Sequence, residues 1–414
     1  MSSAARDFIL KLGRGLHAHG YPAHRLEDAL ASVAERLGVR GHFFSMPTAL
    51  FASFEDADGQ RTYQIRVEPG GVNLEKLTLL DETAREVALG RLSPAEGGAR
   101  LDAIMAGPPP YGALVTILAF AVASGAASRF FEAGPHEVGV AAAIGLLTGV
   151  LAVASGRMPG LGRVFEPLAS ALAAFVAAAA ARYFPPVSFY VATVAGLIVL
   201  VPGFPLTVAL TELATRNLVS GTARLMGAVG TFLAMGFGVA FGSTLGERAF
   251  GAPRPVASPP LPEWTLFAAL LAAPIGFTIL LKARAREAPW IAASGMLGFF
   301  GARYGALLLG PQIGAFLGAV AVSSFGNLYA RVLGRPASVT VVPGLLLLVP
   351  GSVGFRSFAL LLEEQTVVGL GTAFSMMLVA ISLAIGLLFG SVLVPPKRLD
   401  RLQPSVGTGS STEG

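Results

Sequence analysis

Beyond residue 110 the chain carries so little charge that its composition predicts a membrane protein. Residues 1–110 contain 12 basic and 14 acidic side chains, whereas the remaining 304 residues contain only 18 and 11. Several apolar runs in this second part approach 20 residues without a charge, the length that an α-helix needs to cross a bilayer. We therefore expect a polytopic α-helical membrane protein with a small soluble α/β domain at its N-terminus.

About ten transmembrane helices are predicted, of which the ninth is short and interrupted by Pro343-Gly344 and Pro350-Gly351. The predicted spans are about 111–129, 138–155, 165–182, 187–203, 222–245, 264–281, 289–307, 311–330, 337–350 and 366–393. If the N-terminus is cytoplasmic, 12 basic loop residues lie inside and 6 outside, so both termini are expected in the cytoplasm. The expected domains are a cytoplasmic α/β domain (1–110), two five-helix units (111–245 and 264–394), an external linker between them (246–263) and a disordered cytoplasmic tail (395–414).

The N-terminal domain combines helical and strand patterns. Apolar residues recur at helical spacing in four segments, and short β-rich runs follow Gly38. The predicted helices cover 4–18, 24–37, 74–89 and 94–105, and the predicted strands cover 39–46, 48–54 and 61–67. Asn73 and Ser93 each precede a helix as predicted N-cap residues, and the segment 56–59 has the composition of a hairpin turn.

The chain shows few signs of cofactor or metal chemistry. It contains no cysteine, and the histidines His17, His19, His24 and His42 have no carboxylate at a metal-site spacing. A glycine-rich phosphate loop and a basic patch interleaved with aromatic residues are both missing from the sequence. We therefore predict no cofactor, no metal, no nucleic-acid partner and no enzymatic activity. The alternative, a membrane-anchored enzyme, would need histidines and carboxylates that converge on a cleft within residues 1–105.

Two stretches of the chain, 197–242 and 345–390, repeat each other. Each contains Val-Pro-Gly after an apolar run, starting at Val201 and at Val349, and each closes on Phe-Gly. Laid over each other without a gap, they share 11 of 46 positions. Proline breaks a membrane helix, and broken backbone at membrane depth is tolerated only inside protein or beside a watery cavity. The two breaks therefore predict a transport site, the alternative being ordinary helix ends.

An odd number of spans in each unit would place the two repeats in opposite orientations across the membrane. Transporters built from such inverted repeats bind their substrate where the repeats meet and open to the two sides in turn. Two inverted units of five helices are therefore the predicted fold.

The predicted substrate-binding residues lie at the breaks and in the eighth span. A helix that restarts after a break presents unpaired N–H groups to a carboxylate, and hydroxyl groups can bind an ammonium group. Pro205 is expected at a first helical position and Ser352 as an N-cap. The candidates are Pro202, Gly203, Thr207, Thr211, Pro350, Gly351, Ser352 and Asn327.

The predicted coupling or gating residues are polar or charged residues that follow each break. Glu212 and Arg216, four residues apart, are expected to pair with each other on one helix face. The alternatives are a solvated amphipathic connector for this pair and two solvated loop glutamates at Glu363 and Glu364. The candidates are Glu212, Arg216, Asn217, Arg224, Glu363 and Glu364.

Over nearly its whole length the chain resembles the threonine/serine exporter family. The matching segments are Pro202-Gly203, Leu210-Thr-Glu-Leu-Ala214, Asn217-Leu-Val-Ser-Gly221, Ala223-Arg-Leu225, Pro343-Gly-Leu345 and Leu348-Val-Pro-Gly351. The resemblance implies efflux of small hydrophilic metabolites driven by the proton motive force. In this family the two units also occur as separate polypeptides, and a split pair of this kind is associated with succinate export. Where the family often has Asp, this chain has Glu212, which keeps the carboxylate and lengthens its reach.

We therefore expect a secondary transporter of the bacterial inner membrane that exports threonine, serine or a similar amino acid by proton antiport. Its expected partners are the lipid bilayer, a small amino acid or carboxylate substrate and protons, and a homo-oligomer is left open. A dicarboxylate exporter of the succinate type is the alternative in substrate class. A passive channel is the alternative in mechanism.

Overall fold

The computed structural model describes residues 3–56, 59–68, 70–252, 258–348, 354, 357 and 365–396. These residues form two units, one built mainly on the chain up to residue 108 and the other on residues 109–328 and 337–394. Each unit has its own buried apolar core.

The N-terminal unit combines four helices with one antiparallel sheet. Its elements are α1 (Ser3–Ala18), α2 (Ala23–Arg36), β1 (Gly41–Met46), β2 (Ala49–Asp56), β3 (Gly59–Arg66), α3 (Leu74–Ala88) and α4 (Pro94–Ala106). The strands pair in chain order, and Asp56 pairs with Gly59 across the second hairpin. Every helix and strand predicted for this unit is present, with ends that differ by at most 2 residues.

The predicted caps determine where α3 and α4 begin. Asn73 Oδ1 accepts a hydrogen bond from the Lys76 N–H at 3.0 Å. Ser93 Oγ accepts one from the Glu96 N–H at 3.3 Å, and Glu96 Oε2 accepts one from the Ser93 N–H at 2.9 Å. This capping box satisfies donors that a helix start leaves open. The hydrogen bonds from Ser93 also lower the pKa of Glu96, because they stabilise its charged form.

The spacing of apolar residues along α1, α2 and β2 explains which side chains form the core of the N-terminal unit. Phe8 of α1, Leu26 and Leu30 of α2, and Leu50 and Phe54 of β2 are fully buried. Helical spacing in α1 and α2 and two-residue alternation in β2 bring these side chains to one side of each element. Burying them supplies the apolar contacts that hold the sheet against the helices.

The second unit is helical throughout the part that the structure describes. Its helices are α5 (Ala113–Arg129), α6 (Pro135–Ser155), α7 (Pro159–Gly162), α8 (Phe165–Tyr183), α9 (Phe189–Gly196), α10 (Gly203–Ala214), α11 (Leu218–Phe250), α12 (Trp264–Leu280), α13 (Ala288–Leu309), α14 (Pro311–Leu333), α15 (Ser338–Leu346) and α16 (Thr366–Leu393). Six of them, α6, α8, α11, α13, α14 and α16, are long and apolar enough to cross a membrane. Large apolar side chains such as Leu233, Phe237 and Phe241 of α11 are exposed on their surfaces, as contact with lipid requires.

Two predicted spans differ in detail from the observed helices. Of the fourth predicted span, 187–203, only the short helix α9 is helical before α10 begins at Gly203. In the ninth, Pro343 lies inside α15 and does not interrupt it, so that part of the prediction is wrong. A proline removes one backbone donor, but a neighbouring helix can support the backbone around it. Here Ser294 of α13 donates its hydroxyl to the Thr340 carbonyl at 2.9 Å.

The repeat seen in the sequence is also a repeat in helix packing. α11 and α16 begin at Leu218 and Thr366, 148 residues apart. Each presents two glycines, one turn apart, to the backbone of a neighbouring helix, α8 or α14, where an added Cβ would come closer than 3.0 Å. The contacts are Gly238 with Pro167 and Gly242 with Ala171 in the first copy, and Gly386 with Phe316 and Gly390 with Val320 in the second.

The first helices of the two copies, α5 and α12, run antiparallel. Gly276, late in α12, lies against Ala119 and Ala123 in the middle of α5. Thr265, at the start of α12, accepts a hydrogen bond from the side chain of Arg129, at the end of α5, at 2.8 Å. Equivalent helices that point in opposite directions are what an inverted repeat requires.

Candidate functional site

The first predicted break lies between α9 and α10. α9 ends at Gly196, and α10 begins at Gly203 with Pro202 in the N-cap position. Pro205 is therefore the third residue of α10 rather than the first, but its missing N–H still falls in the first turn, where the helix supplies no acceptor. Pro202 and Gly203 are buried. Ser124 Oγ donates to the Gly196 carbonyl at 3.1 Å and satisfies an acceptor at the end of α9.

The threonines that follow the break share one face of α10, as their spacing predicts. The hydroxyls of Thr207, Thr211 and Thr215 donate to the carbonyls four residues earlier at 3.1, 2.8 and 2.9 Å. A hydroxyl has one proton and two acceptor lone pairs, so these oxygens keep the capacity to accept. Thr207 and Thr211 are buried. The face therefore suits a hydrogen-bond donor such as an ammonium or hydroxyl group.

Glu212, in the last turn of α10, is a fully buried carboxylate with 0% exposure. Its Oε2 accepts a hydrogen bond from Ser220 Oγ of α11 at 2.7 Å. The same oxygen lies 3.1 Å from Nε of Arg224, one turn further along α11, whose side chain is 21% exposed. No aligned acceptor for the Arg224 Nε–H is present among the described residues, so the contact is an ion pair without a directed hydrogen bond at Nε. Such a counter-charge offsets part of the cost of burying the carboxylate.

The predicted pairing of Glu212 with Arg216 is wrong, because the ion pair is formed with Arg224 instead. α10 ends at Ala214, and Arg216 has a left-handed φ of 65°. The helix therefore no longer continues at Arg216, and a four-residue spacing does not place the two side chains on one face. Arg216 is exposed.

Asn217 holds the short turn between α10 and α11. Its Nδ2 donates to the carbonyl and to the hydroxyl of Thr215 at 3.2 and 3.1 Å. Its backbone N–H donates to the Glu212 carbonyl at 2.8 Å. Gly221 lies one turn into α11, where a Cβ would come within 2.9 Å of the Ala209 carbonyl. These contacts bring the two helices close enough for Ser220 and Glu212 to meet.

Asn327 is fully buried, but the structure does not place it beside Glu212. Its Nδ2 donates to the Val394 carbonyl, directly after α16, at 2.8 Å. The apolar residues of α10 pack instead with residues 376–384 of α16. Ten residues of α-helix separate Val394 from residue 384, a rise of about 15 Å. A shared substrate contact for Asn327 and Glu212 therefore stays a prediction.

The remaining candidates belong to the second break. Pro350, Gly351, Ser352, Glu363 and Glu364 lie outside the described residues. Their assigned roles remain predictions.

The sequence of the second copy does not repeat the three residues of the charge cluster at the equivalent positions. At the offset of 148 residues, Glu212, Ser220 and Arg224 correspond to Leu360, Val368 and Thr372. Ser220, which is absent from the predicted site, could have been found from its spacing, because it lies one turn before Arg224 on the same helix. Comparing the two copies position by position gives a further signal, since the carboxylate and the guanidinium are not repeated.

A second buried carboxylate, Glu137, is not singled out by the sequence pattern. Its Oε2 accepts from the Gly134 N–H at 3.1 Å, and its Oε1 accepts from the Ser188 N–H at 2.9 Å. The Ser258 hydroxyl also donates to Oε1. Ser188 is the N-cap of α9, and Ser258 belongs to the linker between the copies. Glu137 therefore ties the start of α9 to that linker, and only the tertiary structure brings these donors together.

Replacing Glu137 by alanine is expected to lower the stability of the second unit by about 3 kcal/mol, because the buried Gly134 N–H and the part-buried Ser188 N–H lose their acceptor. Thermal unfolding of the purified protein in detergent measures the change. Glu247→Ala is the matched control, since Glu247 is exposed on α11. Equal melting temperatures for the two variants would contradict the assignment.

The histidines of the N-terminal unit have structural surroundings. No group of three metal-ligating side chains occurs among the described residues. His17 is buried, and its Nε2 lies 2.6 Å from the Met46 carbonyl. Burial and, to a smaller extent, the positive charge of Arg25 together lower the pKa of His24 from 6.5 to about 4. A groove of about 330 Å³ between α3 and α4 is lined by eight residues, none of them histidine: Glu75, Lys76, Leu79, Arg100, Ala103, Ile104, Gly107 and Pro108.

The N-terminal unit is expected to lose stability as the pH falls from about 6.5 towards 4. The pKa of His24 is lowered to about 4 in the folded state, so the unfolded chain binds a proton first and acid favours unfolding. The full shift corresponds to at most about 3 kcal/mol, reached below pH 4. Hydrogen exchange of α2 in the whole protein, compared between wild type and His24→Gln, measures this effect. Identical pH dependence in the two proteins would show that His24 does not contribute.

Long apolar helices, repeated packing and a broken helix beside a buried carboxylate define a polytopic membrane protein of the transporter type. The chain belongs to the threonine/serine exporter family. A family model for threonine/serine exporters (ThrE) matches residues 7–246. A second model, described as "Threonine/Serine exporter, ThrE", matches residues 265–393. The resemblance seen in the sequence is thereby confirmed, and an exporter family is consistent with the expected lack of enzymatic activity.

Similar curated proteins are fungal membrane proteins. A pheromone-regulated membrane protein 10 of Saccharomyces cerevisiae is 26% identical over 94% of this chain and 54% of its own length. Its namesake in Zygosaccharomyces rouxii is 27% identical over 84% of this chain and 37% of its own length. An uncharacterized protein of Schizosaccharomyces pombe is 28% identical over 84% of this chain and 47% of its own length. The chain thus spans about a third to a half of the length of these relatives.

The predicted location in a bacterial inner membrane is wrong, because these curated relatives are yeast proteins. Location in a lipid bilayer is supported by the family and by the six spanning helices. No solved structure matches the chain.

Proposed function

We propose that the protein is a secondary transporter that exports threonine, serine or similar small amino acids in exchange for protons. The observation that carries the proposal is the fully buried Glu212, held by Ser220 and Arg224 in the last turn of the helix that follows the first break. An ionisable side chain inside a membrane unit is costly, and such residues mark pathways for ions and substrates. Membership in the threonine/serine exporter family supports the substrate class.

Two inverted units of five spans are the proposed framework for this transport. Six long helices form three equivalent pairs, and α5 and α12, of 17 residues each, form a fourth. The fifth pair would consist of the two helices α9 and α10 in the first unit and of α15 with the residues that follow it in the second unit. The antiparallel arrangement of α5 and α12 supports inversion, and the matched glycine contacts support equivalence of the copies.

The proposed substrate site begins at the first turn of α10. N–H groups at the start of this helix, placed by Pro202 and Gly203, would make the first contact with the substrate carboxylate as it enters. Thr207 and Thr211 would accept hydrogen bonds from the ammonium or hydroxyl group of the substrate. The second break, at Pro350, Gly351 and Ser352, and Asn327 are proposed to complete the site from the other copy. Glu363 and Glu364 remain proposed coupling residues.

The test is export from cells that are loaded with a threonine-containing dipeptide. Cells that express the protein are expected to release threonine faster than cells with an empty vector, and a protonophore is expected to abolish the difference. Equal release from the two kinds of cells would contradict the proposed function. Flux that ignores an imposed pH gradient would indicate a passive channel. In proteoliposomes, succinate that competes with threonine would indicate a dicarboxylate exporter.

A further inference from the structure

The ion pair of Glu212 and Arg224 carries the same two charges as a zwitterionic amino acid. The Glu212 carboxylate is buried completely, whereas the Arg224 side chain as a whole is 21% exposed, with its Nε buried against the carboxylate. Arg224 is therefore the member of the pair that an entering molecule can reach. Its Nε lies 3.1 Å from Glu212 Oε2 but lacks an aligned hydrogen bond there among the described residues. The two side chains are thus in contact, but Nε does not form the aligned, charge-assisted hydrogen bond that makes such ion pairs strong.

We propose that an amino acid substrate opens this pair and replaces it with two new ones. The substrate carboxylate binds Arg224, and the substrate ammonium binds Glu212. A proton on Glu212 competes with the ammonium for the same oxygens. The proposal rests on the proposed function and adds to it the way in which the substrate is recognised.

The cost of leaving either charge of the ion pair without a partner explains why a zwitterion is required. Removing one partner of a buried ion pair leaves an uncompensated buried charge, which is strongly unfavourable. A zwitterion supplies a new partner to both Glu212 and Arg224, so neither charge is left alone. A molecule with a carboxylate alone frees Arg224 but leaves Glu212 without its cation. A molecule with an amine alone leaves Arg224 without an anion.

Ser220 keeps the carboxylate ready for this exchange. Its hydroxyl donates to Glu212 Oε2 at 2.7 Å, and Ser220 is itself buried. This hydrogen bond does not depend on Arg224, so it would hold the carboxylate in place after the guanidinium has turned to the substrate. Ser220 is thus a positioning residue.

Competition at the Glu212 carboxylate would also couple the flux of the amino acid to the flux of protons. A proton and an ammonium group cannot neutralise Glu212 at the same time, so each would leave as the other arrives. The second copy has Leu360, Val368 and Thr372 at the equivalent positions. The exchange therefore takes place once per chain, which predicts one amino acid and one proton per cycle through this site.

The test uses the wild-type protein in proteoliposomes and labelled threonine. Competitors are unlabelled threonine, 2,3-dihydroxybutyrate, which lacks the ammonium group, and threonine amide, which lacks the carboxylate. Both analogues are expected to inhibit at least about tenfold more weakly than threonine, because each leaves one member of the ion pair without its partner. The apparent KM for threonine is also expected to rise as the pH on the binding side falls.

Variants separate recognition from folding. Ser220→Ala is expected to raise the apparent KM for threonine and to alter its pH dependence, whereas Arg248→Gln, an exposed arginine on the same helix, changes neither. Equal inhibition by threonine and dihydroxybutyrate, with threonine export intact, would overturn the proposal and leave the proposed function standing. Absence of threonine transport by the wild type would overturn the proposed function itself.

Discussion

Glu212→Gln is expected to reduce proton-coupled export about 100-fold or more while leaving the protein folded. Glutamine has the same size and can still accept the Ser220 hydrogen bond, but it carries neither the charge that Arg224 needs nor a site for the transported proton. The Arg224 side chain is 21% exposed, which limits the cost of losing its partner, so the variant is expected to remain folded. Glu212→Asp keeps a carboxylate with a shorter reach and is expected to retain coupled export at a lower rate.

Export by reconstituted protein, with and without a pH gradient, measures this effect. Size-exclusion elution of the variant checks that it is folded. Glu247→Gln is the matched control, because Glu247 is an exposed carboxylate on α11. Gradient-driven export by Glu212→Gln at the wild-type rate would remove Glu212 from the mechanism.

Gly242→Leu is expected to prevent α11 from packing against α8, so that folded protein is lost. A Cβ at Gly242 would meet the Ala171 backbone at less than 3.0 Å, and backbone cannot move aside as the end of a side chain can. Even Gly242→Ala is expected to cost about 2 kcal/mol, because overpacking a closed helix contact forces the helices apart. Gly390→Leu is expected to act in the same way through Val320 of α14.

Yield of monodisperse protein and melting temperature in detergent measure this prediction. Gly227→Leu is the control on the same helix, since Gly227 has nothing within 4 Å of an added Cβ. Equal yields for the variants at Gly227 and Gly242 would contradict the packing described here. A severe effect at Gly242 and none at Gly390 would contradict the equivalence of the two copies.

Local signals were enough to predict the N-terminal unit. Asn73 and Ser93 act as caps within three residues of their own position, and the hairpin at 56–59 closes between neighbouring strands. Such features depend on nearby residues, so the sequence contains what is needed. The apolar helices of the second unit were predictable for a similar reason, because length and composition alone decide whether a helix can cross a bilayer.

Side-chain pairing in the site could be predicted only in part. Glu212 is one of the predicted site residues and is buried in the structure, but its partner depended on where α10 ends. The turn at Arg216 changes the direction of the chain, so that Ser220 and Arg224 of α11 lie beside the Glu212 carboxylate. Glu137 was missed for the same reason, because its donors Ser188 and Ser258 come from distant parts of the chain. The predicted location in a bacterial inner membrane was wrong. Composition indicates that helices lie in a lipid bilayer, but it does not indicate which membrane contains them.

The central claim is that threonine and protons exchange at one buried carboxylate. The most direct measurement is the internal pH of proteoliposomes that contain the purified protein, followed with a trapped fluorescent dye when threonine is added outside. The account predicts that threonine entry moves protons outward, that the pH change saturates with threonine, and that Glu212→Gln abolishes it. Uptake of threonine at the wild-type rate without any change in internal pH would contradict the account.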